Sequence, residues 1–177
     1  MDSTTITVKN YKTPLGELLL GSFGGSLCLC DWRYRKMMPR IQRRIEAELG
    51  AVFSEGESEV IKEAEGQLAE YFEDGRKTFG LPLVTAGTAF QKRVWAELLK
   101  IPYGQTISYK ELARRTGNVD AVRAAAGANG ANALSIIIPC HRVISTGGGL
   151  GGYSGGLGLK EKLLLLESGG AQYRLDL

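Results

Sequence analysis

Apolar and polar residues alternate at a period of two from residue 5 to residue 11; Pro14 and Gly16 mark a turn, and the alternation resumes over residues 17–20 and 27–32. Side chains two apart share one face of a strand, so three such runs at short spacing predict a small antiparallel sheet. The period then changes. Ile41, Ile45 and Leu49 precede Gly50, and Val60, Ala64, Leu68 and Phe72 precede Gly75, which predicts two amphipathic helices packed on that sheet. Pro82 and Gly87 punctuate residues 81–87, the expected connection to a second domain.

The second half reads as helical. Thr88 and Gln91 spell a capping box ahead of a helix over residues 90–99, which Pro102 and Gly104 close off. Ser108 and Glu111 spell a second box, opening a short helix that reaches Arg115, with Gly117 where a C-cap glycine belongs. A third helix is expected over residues 119–129. Two short helices joined at Gly117-Asn118 have the outline of a helix-turn-helix, although helical hairpins in ordinary cores share it. Ile136-Ile137-Ile138 reads as a buried strand, and a last helix spans residues 159–167 with four consecutive leucines.

Composition narrows the class. With 177 residues, 44% of them hydrophobic, the chain is long enough to bury a core in one domain or two. No run approaches the roughly 20 apolar residues of a membrane span, and the N-terminus lacks the pattern of a signal peptide, so a cytoplasmic protein without membrane contact is expected. Three cysteines are too few for a disulfide framework. Cys28 and Cys30 share one strand face with no histidine nearby, which suits packing better than zinc, so no metal is expected. Residues 1–85 carry a net charge of −2 and residues 86–177 a net +5, so a polyanion would be drawn to the second half.

The isoleucine run delivers Cys140 beside His141, the only histidine of the chain. A thiol is a good nucleophile only as thiolate, and a neighbouring base supplies that state. Glu167 ends the leucine-rich helix as an acid able to orient the imidazole. A Cys-His-Glu relay is available, although a cysteine after an apolar run also packs well as a small hydrophobe. The glycines of residues 147–158 lack the preceding strand and following acid of a dinucleotide-binding loop.

Pro139-Cys140-His141-Arg142-Val143, followed by Gly152-Tyr153-Ser154-Gly155-Gly156 and the helix from Lys160 to Glu167, resembles the O6-alkylguanine-DNA alkyltransferases, also called methylated-DNA-protein-cysteine methyltransferases. The resemblance begins at Phe90-Gln91-Lys92-Arg93-Val94-Trp95 and continues through Ile101-Pro102-Tyr103-Gly104 and Ser108-Tyr109-Lys110-Glu111-Leu112-Ala113. Pro14-Leu15-Gly16 and Leu29-Cys30-Asp31-Trp32 extend it into the first half. It implies an α/β protein: a ribonuclease-H-like sheet-and-helix domain over residues 1–85, and a mostly helical, winged-helix-like domain with the helix-turn-helix over residues 86–177.

By the same resemblance Cys140 accepts the alkyl group, and His141 takes its proton through a water, with Glu167 behind. Asn132 braces the active-site turn. Tyr109 protonates the departing guanine and crowds the phosphate backbone. Arg123 fills the hole left in the base stack, while Ala124 and Gly127 let their helix approach a minor-groove floor. Val143, Tyr153, Ser154 and Gly155 line the base pocket.

The implied reaction is irreversible, stoichiometric transfer from O6-alkylguanine, and less well from O4-alkylthymine, with no cofactor. The implied partner is duplex DNA bound through the minor groove by a monomer with the damaged base flipped out. Two rivals remain: a non-catalytic lesion binder of the alkyltransferase-like kind, in which the acceptor cysteine is typically replaced, and a cysteine hydrolase indifferent to DNA.

Overall fold

The computed structural model describes residues 4–153 and 155–169. The chain divides into two compact units, Met1–Gly87 and Thr88–Leu177.

In the first unit, β1 (Thr5–Thr13), β2 (Gly16–Phe23) and β3 (Ser26–Trp32) form an antiparallel meander. After α1 (Met38–Leu49) the chain returns as β4 (Val52–Glu55), and α2 (Glu59–Glu73) packs on β1, β2 and β3. The sheet order is β3-β2-β1-β4, with β4 parallel to β1. The expected antiparallel sheet is therefore mixed. Four residues with mostly exposed side chains carry too little alternation to announce a strand, and β4 forms because the turn at Gly50, in left-handed backbone at φ 62°, aims the chain back along β1.

Cross-strand neighbours share a face. Leu18 and Leu20 stand opposite Trp32 and Cys30 on one side, while Val8 lies opposite Gly21, and Gly21 opposite Leu29, on the other. A Cβ on Gly21 would sit 2.9 Å from Leu29 Cβ, so close packing demands glycine there. Both faces being covered, β3 is buried along nearly its whole length. Burial pushes the Cys28 thiol up to about 12 and Cys30 higher still, so both behave as inert core groups. Among the described residues no three His, Cys, Asp or Glu side chains converge as a metal site.

The second unit is built from α3 (Ala89–Leu98), α4 (Tyr109–Arg115) and α5 (Val122–Gly130), which pack against one another, and from α6 (Leu157–Glu167). Thr88 Oγ1 accepts from Gln91 N at 3.1 Å and Gln91 Oε1 from Thr88 N at 2.9 Å, a complete capping box. The second box is only half made. Ser108 Oγ caps Glu111 N at 3.0 Å, but the Glu111 carboxylate turns instead to Arg114 and Arg115, two guanidiniums within one turn. Helix α5 starts at Val122, three residues later than expected, because Asn118 forms a side-chain turn onto Asp120 N at 2.9 Å.

The isoleucine run is the main correction: residues 133–138 form a buried turn, not a strand. Asn132 Oδ1 accepts from Leu134 N at 2.9 Å, Ile138 N returns to Leu134 O at 2.8 Å, and Ile136 is held at φ 71°, a left-handed conformation that a β-branched residue adopts only under constraint. The turn leads into a single 3₁₀ turn, Cys140–Arg142, packed against α3 and α6. Two-residue strands β5 (Ile107–Ser108) and β6 (Val143–Ile144) then pair in parallel, fixing the start of α4 beside the end of the Cys-His-Arg turn. No helix among the described residues is long and apolar enough to cross a membrane.

Thr88→Ala should remove one of the two reciprocal bonds that start α3 and cost about 1 kcal/mol. Chemical denaturation that finds no loss of stability would show the cap to be dispensable.

Candidate active site

Cys140 heads the 3₁₀ turn and is buried. Two asparagines hold the peptide around it: Asn132 Nδ2 donates to Ile138 O at 2.8 Å, and Asn129 Nδ2, from the inner face of α5, donates to Cys140 O at 3.3 Å. Trp95 of α3 anchors that end of α5 by donating Nε1–H to Ala128 O at 2.8 Å.

Behind the cysteine lies a fully buried charge network. His141 Nε2 and Glu167 Oε1 are 2.7 Å apart. Arg142 approaches the same carboxylate with two nitrogens, Nε to Oε2 at 2.8 Å and Nη2 to Oε1 at 2.9 Å, and its Nη1 donates to Ile101 O at 2.7 Å. Burial alone would raise the Glu167 pKa, but hydrogen bonds from His141 and Arg142 outweigh it and hold the carboxyl well below the usual carboxylate range. His141 shifts the other way: burial, the largest influence, lowers it against the pull of Glu167, so the imidazole is neutral near pH 7. A neutral imidazole facing a carboxylate places its proton on Nε2 and leaves Nδ1 as the basic lone pair. Nδ1 is buried and has no hydrogen-bond partner among the described residues.

The profile of the 6-O-methylguanine DNA methyltransferase DNA-binding domain matches residues 89–169. A methylated-DNA–protein-cysteine methyltransferase of Methanosarcina acetivorans is 41% identical over 157 residues, covering 89% of this chain and 95% of its own. The constitutive enzyme of Bacillus subtilis is 50% identical over 150 residues, covering 81% and 84%. The chain belongs to the methylated-DNA–protein-cysteine methyltransferase family. Among solved structures, Mycobacterium tuberculosis OGT in complex with DNA superposes with a TM-score of 0.78 at 36% identity, covering 94% of each chain.

The other residues that the family resemblance singled out lie around the same turn or on the outer face of α5. The half-buried Tyr109 starts α4 and donates its hydroxyl to Gly152 O at 3.2 Å. Burial, then the charge of Cys140, raises its pKa, so it holds its proton. Val143 is buried, with Tyr153 and Gly155 half-buried in the following loop. Ser154 lies outside the described residues. Arg123, Ala124 and Gly127 line the exposed side of α5, and a Cβ on Gly127 would meet nothing within 4 Å.

Three residues of the site had no role in the sequence reading. Arg142 was visible as a cation inside an apolar run, which demands a buried acid. Asn129 sits one turn before Asn132 on the buried side of α5. Lys160 is the largest omission: fully buried, it donates to the carbonyls of Val143 at 2.5 Å, of Gly152 at 3.2 Å, and of Leu150, and lies 5.7 Å from the Tyr109 ring centroid. Burial lowers its pKa to about 8. Its spacing from Leu163, Leu164 and Glu167 puts it on their buried helix face, a signal present in the sequence.

The shifts of Glu167 and His141 act on stability in one direction. Each is depressed in the folded state, so the unfolded chain binds more protons as pH falls, first below about 6.5 for His141 and then below about 4.5 for Glu167. Unfolding free energy should therefore decline as pH falls from 7, and Glu167→Gln should be less stable at pH 7 with a flatter profile below about pH 4.5. Parallel profiles for the two proteins would remove Glu167 from the acid response.

Proposed function

We propose that this chain repairs DNA by direct reversal of alkylation, moving the alkyl group of O6-alkylguanine irreversibly to Cys140. The observation that carries the reading is the cysteine held by Asn129 and Asn132 in front of a neutral His141 paired with Glu167, on the reverse side of an exposed small-residue helix. The sequence family and the DNA-bound OGT structure supply the substrate class.

The chemistry follows from the tautomer. The Cys140 thiol gives up its proton through a bridging water to His141 Nδ1, and the imidazolium formed is stabilised by Glu167, whose second oxygen stays on Arg142. The thiolate sulfur attacks the alkyl carbon, a sulfur–carbon bond forms, and the carbon–oxygen bond breaks with its electron pair left on the guanine. Tyr109, which holds its proton, passes it to the departing base, and the proton taken up by His141 restores the phenol through solvent. The product thioether has no good leaving group, so each molecule acts once.

The atom attacked is shielded inside a duplex, which requires extrusion of the nucleotide. Ala124 and Gly127 give α5 the low profile needed to lie along a minor groove, and Arg123, exposed on the same face, is placed to enter the stack when the base leaves. Val143, Tyr153 and Gly155 are the wall proposed to receive it, with Ser154, which lies outside the described residues, between them in sequence. The Val143 carbonyl, which accepts from Lys160, is the acceptor proposed for the exocyclic amine of guanine. Every residue in this scheme comes from one chain, so a monomer suffices.

Cys140→Ala should abolish alkyl transfer to labelled alkylated DNA while leaving duplex binding within about twofold; a variant that still takes up label would remove Cys140 from its role. Arg123→Ala should slow repair of duplex DNA by about tenfold or more, on the order of the few kcal/mol that base extrusion costs, and leave reaction with free O6-benzylguanine nearly unchanged. Equal losses on both substrates would assign Arg123 to folding instead.

A further inference from the structure

The charge of the first unit is strongly segregated. Residues 33–44 contain Arg33, Arg35, Lys36, Arg40, Arg43 and Arg44 and no acid, whereas residues 45–85 carry ten acidic and three basic residues. Two of the six cations are committed internally: Arg35 is buried on Asp31 at 2.6 Å, and Arg33 pairs with Glu17 at 3.1 Å. Lys36, Arg40 and Arg43 are exposed and make no ion pair among the described residues. Arg40 and Arg43 stand one turn apart on α1, whose first turn contains no acid, so the positive end of the helix dipole adds to the same field. Burial, then the charge of Arg35 and, least, that of Arg40, lower the pKa of the half-buried Arg44 against the attraction of Glu48 and Asp31. Beside them Tyr34 is 79% exposed, with the Arg33 guanidinium 5.4 Å from its ring centroid.

Like charges crowded on one short segment repel, and no ion pair among the described residues uses Lys36, Arg40 or Arg43: the buried side of α1 is Met38, Ile41 and Ile45. A polyanion relieves the repulsion and releases its own counterions on binding. We infer that the surface formed by Lys36, Arg40 and Arg43, with Tyr34 at its edge, is a second DNA-binding surface that holds backbone phosphates independently of the α5 face. It takes DNA as the partner from the proposed function and adds a site in the unit that otherwise looks like a scaffold. The recognition is of phosphate, so it carries no sequence preference.

The test is the salt dependence of binding to an undamaged duplex, compared between Arg40→Gln/Arg43→Gln and a control, Lys12→Gln/Lys62→Gln, which removes the same charge from exposed positions elsewhere in the unit. Each phosphate that the protein no longer neutralises makes the slope of log affinity against log salt shallower by about 0.9. The arginine variant should therefore be shallower than wild type by about 1.8, the control unchanged, and both should react with free O6-benzylguanine at the wild-type rate. Matching slopes in the two variants, or an arginine variant that keeps the wild-type slope, would overturn the assignment. Failure of the wild-type chain to transfer alkyl groups would overturn the proposed function but leave this measurement standing, since it uses undamaged DNA.

Discussion

The buried carboxylate of Glu167 is the constraint from which the site follows. An ionised carboxyl without partners in a protein interior is prohibitively costly, so the fold must bring it donors. The fork of Arg142 supplies two and the imidazole of His141 a third. Because His141 and Arg142 are adjacent in the chain, satisfying one acid on α6 fixes the orientation of the whole 3₁₀ turn, and Cys140 is set with it. The same pairing decides the histidine tautomer. Arg142 also matters electrically: by offsetting Glu167 it allows burial to keep His141 neutral, the state the proposed base requires.

The reactive turn is held from the opposite side by α5. That helix presents Arg123, Ala124 and Gly127 outward while its inner face carries Asn129 to the Cys140 carbonyl, and Asn132 lies just beyond its end. One element thus meets solvent on the side proposed for DNA and fixes the position of the sulfur on the other. The left-handed backbone at Ile136 is tolerated because hydrogen bonds on both sides of it over-determine the turn.

How far the sequence revealed this depended on range. Features set within a few residues were legible: the meander, the Thr88-Gln91 cap, the break at Gly117. So were Cys140, His141 and Glu167, whose chemistry is unusual enough to show against an apolar background. Interactions decided at a distance were not. β4 exists because β1 offers an edge, and Glu111 leaves its expected capping bond because two arginines compete for it. The isoleucine run has the composition of a strand, and the side chain of Asn132, bonded to Leu134 N and Ile138 O, helps hold it as a turn. Counting charge over halves of the chain likewise concealed the basic segment at residues 33–44, since the acids that follow it cancel the sum.

Lys160 explains the glycine-rich segment that a nucleotide-binding loop did not. A fully buried ammonium needs several acceptors, and here they are main-chain carbonyls of Val143, Leu150 and Gly152 drawn toward one point. Folding a loop tightly enough to converge its carbonyls leaves little room for side chains and forces positive φ where the chain reverses. Gly151 shows both demands: its φ is 67°, and a Cβ there would lie 2.7 Å from the Tyr109 ring. Gly152 accepts from Lys160 and from the Tyr109 hydroxyl at once, so the cation, the loop and the tyrosine form one unit. The glycines are thus the backbone's answer to a buried charge, and the shape of the loop proposed as the pocket wall is set by where that charge sits on α6.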